Sequence, residues 1–127
     1  MEEALRTLLL GAQTVTSLVG TRIDWGARVQ GAGLPAIVMM VVSDVNDHLL
    51  SGPADPVARV QIDCWGGDYA SAKATARAVR AVLDGTRSGI LKAVLLENVR
   101  DGREGGSNEA DRPFRTSLDV FVHYHRP

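Results

Sequence analysis

A chain of 127 residues, 45% hydrophobic and 23% charged, has the size of one globular domain that buries roughly two thirds of the surface its unfolded form exposes. Its formal net charge of -1, with no lysine/arginine tract, leaves the counterion-release term of generic duplex binding without a source and excludes nucleic acid as the main ligand. The single cysteine, Cys64, excludes an internal disulfide and a cysteine-based zinc knuckle, and fits a reducing compartment.

The opening MEEALRTLLLGAQ carries acids where a secretory signal carries positive charge, and no apolar run approaches the roughly twenty residues of a membrane span. The expectation is a soluble protein made in the cytosol. From Glu2 to Val19, Leu5, Leu8, Leu9, Ala12 and Val15 recur at three- and four-residue steps and predict a helix with one apolar face. Gly11 weakens or divides it, and Gly20 supplies the permissive backbone at which helices stop. The segment from Thr21 to Pro35 mixes glycines with Trp25 and reads as an irregular connection with a short extended piece around Arg22 and Ile23.

AIVMMVV, Ala36 to Val42, is apolar at every position, β-branched and short, which predicts a strand buried on both faces. The turn-forming run from Ser43 to Pro56 is a long loop or the tip of an extended hairpin, with Leu49 and Leu50 an apolar pair inside it. VARVQIDCW then alternates: Val60, Ile62 and Cys64 face one way, Arg59, Gln61, Asp63 and Trp65 the other. Asp68 stands at an N-cap position before a helix from Tyr69 to Leu83, whose apolar side is Ala72, Ala76, Val79 and Leu83. Further strands are predicted over Ile90 to Val99 and Thr116 to His125. Between them Arg100 to Pro113 reads as a long exposed loop whose interior is anionic, Asp101, Glu104, Glu109 and Asp111 standing against Arg103. The predicted fold is α+β: a single four-stranded, largely antiparallel sheet, two helices on one face in the order α-β-β-α-β-β, and two long hairpin loops, all in one domain over 1–127.

Candidate chemistry is sparse. The break at Gly66-Gly67 between strand and helix has the order of a nucleotide site, but CWGGDYASAK holds neither GxGxxG nor GxxxxGK[ST], and Asp68 stands where an anion would sit. The glycines are expected to make a corner. His123 and His125 share a strand face, with Asp119 or Asp63 as conceivable co-ligands, yet no second ligand pair at tight spacing accompanies them, and no metal or other cofactor is expected. Cys64 lies on the apolar side of its strand, where a thiol acts as a small hydrophobe. No GxSxG elbow is present, and no catalytic residue is assigned.

What a free monomer would handle badly is its surface. Two helices cover one side of the sheet, so the other side needs a neighbouring subunit or a loop. Trp65 and Phe121 project from that side, where large aromatics suit interface anchors, with loop cover from Trp25 or its neighbours as the alternative. The candidate subunit or tube interface is Leu49, Leu50, Arg59, Gln61, Asp63, Trp65, Asp119, Phe121 and His123, and the candidate loop contact or channel lining is Asp101, Arg103, Glu104, Glu109 and Asp111.

The opening MEEALRTLLL…SLVGTRI, then LPAIVM, the stretch RVQIDCWGGDYASAKATARAVRAVLDG, LLENVRD and the closing RTSLDVFVHYHR together resemble the tail terminator, or tail completion, proteins of long-tailed phages and gene transfer agents. The resemblance spans nearly the whole chain; SDVNDHLLSGPADP and GREGGSNEADR are the parts without a match. It implies a structural virion protein at the tail-neck junction, assembled in the bacterial host cytoplasm. Such a protein forms a ring, hexameric in these families, that caps the finished tail tube, stops its polymerisation and joins the tail to the neck. The implied partners are further copies of itself, the tail tube protein and a neck or stopper protein, with DNA only as cargo through the channel and no membrane. Two other readings stay open on the residues alone: a small cytosolic α+β enzyme or ligand-binding domain using the polar sheet face, and another head-tail connector such as a stopper or adaptor.

Overall fold

The structure, a computed structural model, describes residues 1–28, 33–45, 55–103 and 113–125, with the backbone alone at His48–Leu49 and Gly52–Pro53. Its elements run α1 (Glu2–Leu10), α2 (Gln13–Val19), β1 (Ile23–Trp25), β2 (Ala36–Val45), β3 (His48–Leu49), β4 (Gly52–Pro53), β5 (Val57–Gly66), α3 (Tyr69–Leu83), β6 (Leu91–Arg103) and β7 (Phe114–Tyr124).

The predicted fold is corrected in both its sheet and its helix count. The sheet has five strands in the order β1-β2-β5-β7-β6 and is mixed, because β1 joins β2 in parallel while the other neighbours are antiparallel. The extended piece near Ile23 is therefore a true edge strand; three residues are too few to show a period, and only its pairing with Ile37–Met39 makes it one. The amino-terminal helix is two helices. Gly11 closes the first, its amide donating to Thr7 O at 3.0 Å, and Ala12 takes an extended conformation that starts the second on a new axis. Gly20 at φ 60 then ends α2 in a conformation only glycine adopts without strain.

All three helices share one hydrophobic core with one face of the sheet. Leu5 and Leu9 of α1, Val15 and Val19 of α2, and Ala76, Val79 and Leu83 of α3 pack with Ile37, Met39, Ile62, Leu118 and Val120. Thr75 is also fully buried in α3, its hydroxyl satisfied by Ser71 O at 2.9 Å. The N-cap at Asp68 forms as its residue type predicts, accepting from the Ser71 amide at 2.7 Å. Gly66 explains the close approach of α3 to β5: a Cβ there would lie against Ser71 Oγ and the Ala72 backbone, with Ala72 Cα at 3.0 Å. The break is a packing corner.

Both hairpins carry their strands further than predicted. β2 continues through Ser43, Asp44 and Val45, and the small β3–β4 ribbon lies between it and β5. β6 continues through Arg100 to Arg103, so Asp101 and Arg103 belong to a strand and not to a loop.

Candidate functional site

Residues paired across neighbouring strands point to the same face. The register therefore defines five rows on the side away from the helices. They are Ala36, Trp65, Arg115 and Gly102; then Val38, Asp63, Ser117 and Arg100; then Met40, Gln61, Asp119 and Asn98; then Ser43, Arg59, Phe121 and Leu95; and last Val45, Val57, His123 and Ala93. Seven of the nine interface candidates, Arg59, Gln61, Asp63, Trp65, Asp119, Phe121 and His123, thus stand together on this face. Leu49 is placed by its backbone in β3, and Leu50 lies outside the described residues, as do Glu104, Glu109 and Asp111 of the loop candidates.

The centre of the face is polar and closed. Asp63 and Asp119 are 7% and 4% exposed, so each carboxylate needs partners to offset its lost hydration. Asp63 accepts from the Ser117 hydroxyl at 2.6 Å and from Gln61 Nε2 at 2.9 Å. Asp119 receives the Arg100 guanidinium side-on, with Nε and Nη2 each at 3.0 Å. One row further, Arg59 meets Glu97 at 3.2 Å and lies 6.0 Å from the Phe121 ring.

Two cations lie against Trp65. Arg28, from the connection after β1, sits 4.8 Å from the ring centroid, and Arg115 sits at 5.6 Å. Arg115 can lie there because Gly102 beside it has no side chain: a Cβ would be 2.9 Å from Arg115 Nη2. Arg115 Nε is buried and finds no hydrogen-bond partner among the described residues. Trp25 itself lies elsewhere, donating its indole N–H to Glu2 O at 3.2 Å.

Around this polar centre stand exposed apolar side chains: Met40 at 47%, Val45 at 55% and Leu95 at 46%, with Val42 at 54% on the bulge between rows. The expectation that Ala36 to Val42 is buried on both faces thus holds only for Ala36–Met39. Beyond Met39 the strand outruns β1, and its upward-facing side chains have no layer above them among the described residues.

The remaining candidates fall outside the face. Asp101 points to the helix side, where Lys73 Nζ lies at 2.7 Å, Thr116 donates at 3.2 Å and Tyr69 at 3.2 Å. The bond from Lys73 first, helped by those from Thr116 and Tyr69, holds its carboxyl below the usual range against the opposing effect of desolvation, which is second in size only to the Lys73 bond. Arg103 stacks its guanidinium 4.3 Å from the Phe114 ring. His125 meets Asp55 at 2.9 Å, and Asp55 also meets Lys92 at 3.1 Å. Among the described residues no group of three or more His, Cys, Asp or Glu side chains converges on a point. Cys64 is fully buried, and burial first, then the neighbouring Asp63 charge, pushes its thiol pKa far up.

Sequence reading missed Arg100, Ser117, Met40 and Leu95. Ser117 was accessible to it, since Ser117, Asp119, Phe121 and His123 alternate at period two. Arg100 opens a glycine-bearing polar run that carries no strand period. Cavities of about 740, 120 and 370 Å³ all lie on the helix side: the first between α1 and the Ser88–Leu91 turn, the others along α3 at Arg77 and Arg80.

A mixed five-stranded sheet with three helices on one face and an apolar-rimmed polar surface on the other defines a small α+β domain. The sequence profile of the family "Tail completion protein gp17" matches residues 3–124, and the chain belongs to that family of phage tail structural proteins. Among solved structures, a chain from "Virion of native gene transfer agent (GTA) particle" shares the fold at a TM-score of 0.79 and 20% identity, over 99% of this chain and 95% of that one. No curated protein matches the chain. As a member of that family its place is in a phage tail particle, and among the described residues no helix is long and apolar enough to cross a membrane.

Proposed function

We propose that the protein is a tail terminator: a ring of identical subunits, six by the family resemblance, that caps the finished tail tube, stops its polymerisation and joins the tail to the neck. The observation that carries this reading is the helix-free sheet face, where exposed Met40, Val45 and Leu95 rim a satisfied network of Asp63, Ser117, Asp119 and Arg100. The residue types gathered on it, Trp65 and Phe121 with Met40 and several arginines, are those enriched in protein–protein contacts. Head-to-tail contacts between identical chains close under cyclic symmetry and leave two unlike ends, one for the tube and one for the neck. Termination then needs no chemistry, because the ring occupies the place of the next tube ring and does not offer that place again. The tail tube protein and a neck protein are the partners, and DNA crosses the channel as cargo.

Light scattering of the purified protein across a concentration range, with and without the tail tube protein, tests this. A mass near six subunits, alone or once tube is present, is the expected result. A monomer that stays monomeric and ignores the tube overturns the reading.

A further inference from the structure

The sheet ends on each side in a half-covered strand. On one side β1 pairs only with Ile37–Met39, so the outer N–H and C=O groups of β2 from Met40 to Val45 meet no strand among the described residues. On the other side the α3–β6 connection lies along the first half of β6. The Gly85 amide donates to Val94 O at 2.7 Å, the Val94 amide to Thr86 O at 3.2 Å and the Leu96 amide to Asp84 Oδ1 at 3.0 Å, while Ser88 and Leu91 exchange bonds of 3.0 and 2.8 Å. That cover stops at Leu96. From Asn98 to Gly102 the outer edge of β6 is open among the described residues.

An open row of backbone donors and acceptors is recognised by another extended backbone, and a free edge bearing exposed Met40, Val42 and Val45 is an aggregation hazard unless something pairs with it. Resting on the ring reading above, we propose that the two open half-edges are each other's partners: Met40–Val45 of one copy pairs antiparallel with Asn98–Gly102 of the next. Their direction fits, since three antiparallel steps separate β2 from β6, and laying sheets side by side continues the alternation. Their inequality fits too. Joining two different edges is head-to-tail and propagates around a ring, whereas β2 against β2 stops at a dimer. The open halves also lie at diagonally opposite corners, Met40 to Val45 level with Gln61 to Val57 and Asn98 to Gly102 level with Asp119 to Arg115. Successive sheets must therefore be displaced along their strands, which is the stagger that tilted strands in a closed barrel require.

The test is covalent capture in the full chain. Val42→Cys and Val99→Cys combined in one chain are treated with a short bismaleimide under the conditions where light scattering shows the ring. Cys64 stays in place as a buried, unreactive control. A denaturing gel is expected to show a ladder of linked copies up to ring size, with neither single variant passing beyond monomer. Val45→Cys with Asn98→Cys provides a second, independently placed pair. Rings with no ladder from either pair overturn the edge pairing and leave the ring reading standing. A covalent dimer from Val42→Cys alone overturns it in favour of β2 against β2. No ring with or without tube overturns both.

Discussion

Arg100 on β6 and Asp119 on β7 face each other side-on, Nε to Oδ2 and Nη2 to Oδ1, each at 3.0 Å. The arginine side chain is 46% exposed and the aspartate 5%, so the acid is sealed by the residue that neutralises it. Arg100→Ala leaves a buried carboxylate without its partner and is expected to lower stability by about 1–3 kcal/mol in urea unfolding, while Arg59→Ala, at a more open pair, lowers it by about 0.5 kcal/mol or less. Equal effects would show that burial of Asp119 does not set the cost.

Asp101 is held below the usual carboxylate range, first by Lys73 and then by Thr116 and Tyr69. A depressed folded pKa contributes stability that is present above the unfolded value near 4 and disappears as pH falls through the folded one. Lys73→Met removes the main cause. It should cost about a few tenths of a kcal/mol at pH 7 and flatten the fall in stability below pH ~4, as read by thermal unfolding from pH 2 to 7. An unchanged acid limb would remove Asp101 as a contributor.

Gly66 and Gly67 look alike in sequence but not in space. A Cβ at Gly66 meets the backbone of Ala72, and one at Gly67 meets nothing within 4 Å. Gly66→Ala is expected to cost about 1–3 kcal/mol because helix and strand must separate, and Gly67→Ala to stay within about 0.5 kcal/mol. The comparison is two urea curves.

Met40 and Leu95 are exposed at opposite margins of the helix-free face. Met40→Asp with Leu95→Asp should leave circular dichroism and the monomer's melting curve nearly unchanged, while light scattering with tube present shows loss of the large species. Trp65→Ala, which also strips Arg28 and Arg115 of their shared ring, should weaken assembly and leave a folded monomer. Unfolding of that variant would make Trp65 core.

Cys64 is fully buried, with its thiol pKa pushed far up by burial. A disulfide reagent at pH 8 should label it only after denaturant is added, with kinetics that follow global unfolding. Fast labelling of the native protein would place the thiol in a fluctuating site.

Much of this protein is determined by short-range pattern. The alternation of Val57–Trp65, the Asp68 cap with the α3 face of Ala72, Ala76, Val79 and Leu83, and the alternate positions of β7 each follow from a period that a few neighbouring residues express. The same periods put Trp65 with Asp63, and Phe121 with Asp119, on one side of their strands whatever the strand order. Tertiary structure alone decided the rest. β1 is a strand only because β2 lies beside it, and Gly11–Ala12 is a full helix break only because α1 and α2 must both reach the same core. Arg100 and Asp101 separate to opposite faces only because β6 stays paired with β7 through a glycine-bearing run. Where β2 loses its cover at Met40 likewise depends on how far a distant segment reaches. Such features come from pairing between remote segments, and residue periodicity carries no record of which remote segment arrives.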